Sequence, residues 1–124
     1  MMTLRLGFII LIAFILGACT AESSNEDSAG QMVEEYLQAK VDSDEDTIRR
    51  LICSELEASI TREVSSFASV EASIEGMSCT SEGNIVSCTG EIVAVYGTEN
   101  REFPLTSYSV VQEDGEWRWC GEGE

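Results

Sequence analysis

The sequence predicts an α+β domain in which N-terminal helices pack on one face of a four-stranded antiparallel sheet. Apolar residues recur with a helical period as far as Phe67. From Val70 onward they alternate with polar residues with a period of two. Two tight-turn signals, at Gly83-Asn84 and Asp114-Gly115, separate the later segments as in an antiparallel sheet. We therefore expect one α+β domain over residues 29–124.

Residues 1–18 have the pattern of a signal peptide. Arg5 supplies a positive charge, and residues 6–16 are an apolar run that is shorter than the about 20 residues of a transmembrane helix. Leu16-Gly17-Ala18-Cys19 resembles the lipobox of bacterial lipoproteins. The resemblance implies cleavage before Cys19 and acylation of its thiol, for example with palmitate, on the extracytoplasmic side of the cell membrane. An ordinary signal peptide for a secreted protein, with a chance cysteine, is the alternative.

Residues 19–28 are predicted to be a lipidated flexible tether, because they are polar, acidic and nearly free of large apolar side chains. The whole chain is acidic, with 23 acidic and 7 basic residues. Loss of Arg5 with the leader would leave six basic residues and a net charge of −17. Such a charge disfavours nucleic acid as a partner. The chain contains no histidine, which excludes Ser-His and Cys-His nucleophile pairs.

Three helices are predicted before the sheet. Ser28 and Gln31 form a capping box for the first, over residues 29–41. Ser43 is the predicted cap of the second. The third, over residues 55–67, has one apolar face made of Leu56, Ile60, Val64 and Phe67. The strands that follow are expected to begin near Val70 and to continue over residues 84–96, 102–112 and 117–120.

Cysteine spacing predicts two disulfides. Assigning Cys19 to lipid leaves four cysteines for an oxidising compartment. The Gly83-Asn84 turn places Cys79 opposite Cys88 at a non-hydrogen-bonded position, where the strands approach most closely. Cys53 and Cys120 are the two cysteines left, so they are predicted to pair with each other. Ligation of a metal by four thiolates is the rival, but the chain has no Cys-x-x-Cys motif, so neither a metal nor another cofactor is predicted.

The same turns predict which sheet face the helices cover. The Gly83-Asn84 turn places Ile74 opposite Val93, and a three-residue loop centred on Glu99 would put Val93 on one face with Phe103 and Leu105. The opposite face should then be unusually apolar, with Ile92, Ala94, Tyr96, Tyr108, Val110, Trp117 and Trp119. Two interpretations stay open: partial cover by long polar side chains or the N-terminal segment, or a surface for a homodimer or a protein partner.

The chain resembles the cystatin-like, nuclear transport factor 2-like roll of the SnoaL-like superfamily. The resemblance rests on the run from Met32 to Leu37, on the helices around Cys53, and on the ending from Val110 to Cys120. It implies a curved sheet, a cone-shaped pocket under the helices, and a fold shared by isomerases, dehydratases and cyclases. Some isomerases of this superfamily carry an oxyanion-hole tyrosine where Tyr36 stands. We interpret Tyr36 as a core residue and predict no catalytic residue.

These observations favour a membrane-tethered protein that binds a small ligand or an envelope protein without catalysing a reaction. Two alternatives remain: a structural envelope component without a ligand, and an isomerase or cyclase that uses a carboxylate and Tyr36. A calcium loop beginning at Asp42 is rejected, because Thr47 and Cys53 stand where an EF-hand requires glycine and glutamate.

Overall fold

The computed structural model describes residues 25–123, so the predicted leader, Cys19 and most of the tether lie outside the described part. Helix α1 spans Asn25–Asp42 and α2 spans Glu45–Leu51. A 3₁₀ helix, Ser54–Ser59, leads directly into α3, Ile60–Ser65. None of the described helices is long and apolar enough to cross a membrane.

Both predicted helix caps are wrong. Helix α1 already includes Ser28, because the described helix begins at Asn25. Asp44 rather than Ser43 caps α2, and its carboxylate accepts hydrogen bonds from the Thr47 backbone N–H and hydroxyl, at 3.2 Å and 2.7 Å. Ser43 has a left-handed φ of 55°, and the next residue donates its N–H to the Ala39 carbonyl. Ser43 therefore ends α1 instead of starting α2.

The sheet has five strands: β1 Glu71–Glu82, β2 Ile85–Tyr96, β3 Glu99–Pro104, β4 Ser107–Glu113 and β5 Glu116–Glu122. The predicted third strand is divided into β3 and β4. Strand β3 pairs with the end of β2, whereas β4 pairs with its beginning. Leu105 and Thr106 cross between these positions, and they hydrogen-bond to the β2 backbone at Gly90 and Cys88. The predicted class, helices on one face of an antiparallel sheet, is confirmed.

Both predicted disulfides are formed. Cys79 pairs with Cys88 in the first hairpin, and Cys53 pairs with Cys120 across 67 residues. The second bond joins the segment after α2 to β5. The Cys53 N–H also donates to the Trp119 carbonyl at 2.8 Å. The helical layer and the last strand are thus held together by a covalent bond and a backbone hydrogen bond at the same place.

The predicted sheet face is wrong, because a β-bulge changes the register of the first hairpin. Near the turn, Cys79 faces Cys88 as predicted, but beyond the bulge Ile74 faces Ile92 instead of Val93. The bulge adds one residue to β1, and a one-residue shift exchanges the two faces of a strand. Gly76 and Gly90 lie at the bulge, where a Cβ on Gly90 would be 2.6 Å from the Glu75 carbonyl oxygen. This close approach requires glycine.

The helices therefore cover the face that we predicted to be open. Five of its seven residues are buried: Ile92, Ala94, Tyr108, Val110 and Trp119. Tyr96 and Trp117 are half-buried and pack against the same core. A two-residue turn at Gly97-Thr98, in place of the expected three-residue loop, also brings Phe103 opposite Ile92. The seven residues cannot form an exposed surface for a homodimer or partner.

Candidate binding cavity

A cavity of about 400 Å³ lies between α1, α3 and the helix-covered side of the sheet. The apolar part of its wall consists of Leu37, Leu56, Phe67, Ile92, Phe103, Pro104 and Leu105. Phe67 and Phe103 meet edge to face, with ring centroids 5.9 Å apart. Phe103 is 39% exposed. Among the described residues, it is the one large hydrophobic side chain that is exposed. The cavity thus has an apolar wall with an accessible aromatic ring.

A largely buried ion pair lies in the polar part of the wall. Glu63 lies on α3, three residues after Ile60 and four before Phe67, so it shares the inward side of this helix. Lys40 lies on α1, one turn after Tyr36. The Lys40 ammonium is 2.9 Å from Glu63 Oε2, and the two side chains are 24% and 8% exposed. The two helices therefore bring opposite charges together on the cavity wall.

The Glu63 carboxylate has capacity left for another partner. The contact of Glu63 Oε2 with Lys40 is an ion pair without the geometry of an aligned hydrogen bond, and the Tyr36 hydroxyl lies close enough to this carboxylate to interact with it as a donor. A carboxylate offers about four acceptor positions. Lys40 and Tyr36 can fill two of these positions, so a water molecule or a ligand with a donor group can fill another.

Two aromatic side chains extend the polar cluster. Tyr36 stacks on Trp119 with ring centroids 4.1 Å apart and an angle of 12° between the planes. Among the described residues, neither the Tyr36 hydroxyl nor Trp119 Nε1 has an aligned hydrogen-bond partner. Burial raises the pKa of Tyr36, and the nearby negative charge of Glu63 raises it further. Tyr36 is therefore a neutral phenol and a potential donor at neutral pH.

A second, more open depression lies on the other side of α1, and we call it the groove. Its volume is about 410 Å³, and its wall includes Arg50, Trp117 and Arg118. Arg50 pairs with Glu35, and these side chains are 56% and 52% exposed. Arg118 pairs with Glu116 at 2.9 Å. The Arg50–Glu35 pair is thus largely open to solvent, unlike the pair in the cavity, whereas in the second groove pair Arg118 is 18% exposed and Glu116 is 68% exposed.

The apolar face predicted from the sequence is distributed over several places. Ile92, Tyr108 and Trp119 line the cavity, and Trp117 lines the groove. Ala94 and Val110 are fully buried in the core. The Tyr96 ring lies 5.1 Å from the guanidinium carbon of Arg101. These aromatic residues do lie on one sheet face as predicted, but the helices cover that face.

Glu63 was missed at the sequence level, although a signal was present. The inward face of the third helix is predicted from four apolar residues, and Glu63 is not among them. Its spacing from Ile60 and Phe67 places it on that face. A lysine at the matching turn of the first helix, Lys40, is the second part of the signal. An acid and a base on facing helices predict a buried pair better than either residue does alone.

The comparisons with known proteins identify the fold and no closer relation. No protein-family model matches the chain, and no curated protein matches it in sequence. An LEH-like epoxide hydrolase from M. tuberculosis has a similar structure, with a TM-score of 0.61 and 17% identity over 82% of this chain and 83% of that one. A ketosteroid isomerase-like protein from Shewanella frigidimarina gives a TM-score of 0.51 and 15% identity over 74% and 90%. The fold is therefore nuclear transport factor 2-like.

Proposed function

We propose that this protein is a lipid-anchored, extracytoplasmic domain that binds a small molecule in the cavity between the helices and the sheet. The observation that carries this proposal is a cavity whose wall combines apolar side chains with a buried carboxylate that can accept further hydrogen bonds. Its volume of about 400 Å³ lies within the range of about 300–1,000 Å³ that is usual for ligand pockets. Most pockets of this kind combine apolar walls with a few buried polar groups.

The anchor belongs to the proposal because of the sequence of residues 16–19 and the acidic stretch that follows it. Two acyl chains on Cys19 would provide stable attachment to a membrane. Intact mass measurement of the protein from a membrane fraction tests this. We expect the mass of two or three acyl chains, and we expect it to be absent when Cys19→Ser is expressed. Full-length, unacylated protein in both cases would contradict the anchor.

Ligand binding is tested by a thermal-shift screen of uncharged small molecules on the full chain. A ligand that binds the folded state raises the unfolding temperature. The matched control is Leu56→Trp, which introduces a larger side chain on the half-buried cavity wall. We expect some compounds to stabilise the wild type and not this variant. Compounds that stabilise both equally bind elsewhere, and a screen without any cavity-dependent compound would favour the alternative of a structural envelope component.

An acid–base enzyme is the second candidate. It is favoured by the Glu63 carboxylate on the cavity wall and the adjacent neutral Tyr36, which are groups of the kind that abstract and donate protons. The names of the two similar structures, an epoxide hydrolase and an isomerase-like protein, agree with this candidate. Incubation of cavity-dependent compounds with the wild type and Glu63→Gln separates it from simple binding. Conversion by the wild type alone would identify an enzyme.

A homodimer remains part of the proposal as a partner, but not through the face predicted from the sequence. That face is covered by α1 and α3, so a second copy would have to use another surface. Size determination of the full chain in detergent, as a function of protein concentration, tests for a dimer. We expect substitutions at the buried Val110 to change stability rather than association.

A further inference from the structure

We infer that the cavity selects a neutral molecule with an apolar body and one hydrogen-bond donor, such as an alcohol, and that the Lys40–Glu63 pair recognises the donor. This inference rests on the proposed function, because it names the chemical class of the ligand for the same cavity.

Charge on the cavity wall points to a neutral ligand. Lys40 and Arg62 contribute two positive charges, and Glu63 and Glu122 contribute two negative charges. Within the described wall these charges cancel. Arg62 and Glu122 are exposed and belong to none of the ion pairs among the described residues, so a charged ligand could pair only with a solvated charge, which adds little to affinity, and it would lose its own hydration. An anion would in addition meet the negative charge of the whole domain.

The state of Glu63 points to a donor group on the ligand. This side chain is 8% exposed, lines the cavity, and makes one ion pair without an aligned hydrogen bond. An ionised carboxylate only accepts hydrogen bonds. A ketone, an ether or a hydrocarbon would offer no donor to the acceptor positions of Glu63 that Lys40 and Tyr36 leave open. A hydroxyl both donates and accepts, so it can bind Glu63 while it takes a hydrogen bond from Lys40.

The remaining wall points to an apolar body. Leu56, Phe67, Ile92 and Leu105 surround the space next to the ion pair. Burial of apolar surface contributes about 25 cal/mol per Å², so this part of the wall supplies affinity for most apolar bodies. Phe103 is exposed at the same wall, and a bound apolar group would cover part of its ring. Specificity should therefore come from the ion pair rather than from the apolar wall.

Four photoreactive probes with one body test the inference on the full chain in phospholipid nanodiscs. The alcohol is 4-(hydroxymethyl)benzophenone, and 4-methylbenzophenone is the matched probe without a donor. The anion is 4-benzoylbenzoate, and the cation is 4-benzoylbenzylammonium. After irradiation, peptide mapping locates the cross-links. Net hydrogen bonds to charged groups contribute about 1.5–3 kcal/mol. We therefore expect half-saturation of cavity labelling by the alcohol at a concentration at least about tenfold lower than by the other three probes.

The critical variant replaces both members of the pair, Lys40→Met with Glu63→Met. Exchange of a whole buried ion pair for apolar residues of similar size is well tolerated, and non-reducing peptide mapping of both disulfides verifies the fold. We expect the preference for the alcohol to fall to within about twofold of 4-methylbenzophenone. The matched control is Arg50→Met with Glu35→Met, which removes the exposed pair of the groove. This control should retain the preference.

The outcomes separate the inference from the proposed function. Three outcomes would overturn the inference and leave ligand binding intact. All probes could label the cavity saturably with equal affinity, or one of the charged probes could be preferred. The preference for the alcohol could also survive in the Lys40→Met, Glu63→Met variant. Absence of saturable labelling at the cavity wall with every probe would overturn both.

Discussion

The cavity and the groove lie on two sides of α1 and are built from the same kinds of residue. Each combines a tryptophan whose indole N–H has no hydrogen-bond partner among the described residues with acid–base pairs. They differ in burial. The Glu63 side chain in the cavity is 8% exposed, whereas Glu35 in the groove is 52% exposed. Composition alone therefore does not distinguish a candidate binding site from a solvated surface, because the energy of an ion pair depends on the water around it.

The largest expected difference concerns the disulfide beside the cavity. Replacing Cys53 and Cys120 with alanine should lower the free energy of unfolding by about 4 kcal/mol, because the bond closes a long loop in the unfolded chain. Replacing Cys79 and Cys88, which are separated by 9 residues, should cost about 2.5 kcal/mol. Urea unfolding without reductant measures both values. Equal losses would show that loop length does not determine the contribution of these bonds.

The ion pairs provide the next comparison. Glu63→Leu leaves the partly buried Lys40 ammonium without a counter-charge and should cost about 3 kcal/mol. Exchange of both residues, Lys40→Met with Glu63→Leu, should recover most of this loss. The same change in the groove, Glu35→Leu, should cost about 0.5 kcal/mol. Similar losses from Glu63→Leu and Glu35→Leu in urea unfolding would remove the distinction between the two sites.

Alkaline pH should reveal the burial of Tyr36. Its pKa is raised in the folded state by burial and by Glu63, so the folded protein holds this proton more tightly than the unfolded chain does. The corresponding stability is complete below about pH 10, the ordinary tyrosine pKa, and is lost as the pH rises toward the folded pKa.

Above about pH 10 we therefore expect Tyr36 to contribute a loss of about 1.4 kcal/mol per pH unit, which should be absent from Tyr36→Phe. Tyr96→Phe, at the half-buried end of β2, is the control. Chemical unfolding between pH 9 and 11 measures these slopes. An unchanged slope in Tyr36→Phe would contradict the assignment.

The smallest expected effect concerns the groove. Arg50→Ala removes a solvent-exposed pair with Glu35 and should change the free energy of unfolding by about 0.5 kcal/mol. The difference should shrink further in 1 M salt, where charges are screened over about 3 Å. A loss above about 2 kcal/mol that does not respond to salt would show that the groove, like the cavity, depends on a desolvated charge.

Much of the fold follows from local sequence patterns. The helical period up to Phe67 and the alternation after it predict the α+β class, since each period reflects the geometry of one kind of backbone. The Gly83-Asn84 turn determines its own register for the residues close to it, and this is why Cys79 and Cys88 were paired correctly. With one pair assigned and Cys19 set aside, the Cys53–Cys120 pair followed.

The sheet face, and with it the candidate site, was decided only by the tertiary structure. Register passes along a hairpin only while no residue is inserted, and the bulge opposite Gly90 inserts one. Gly76 and Gly90 were visible in the sequence, but glycine in a strand signals a bulge without fixing which strand gains the residue. The Lys40–Glu63 pair likewise requires two helices to meet. Spacing along one helix predicts which side a residue takes, whereas only packing decides what it faces.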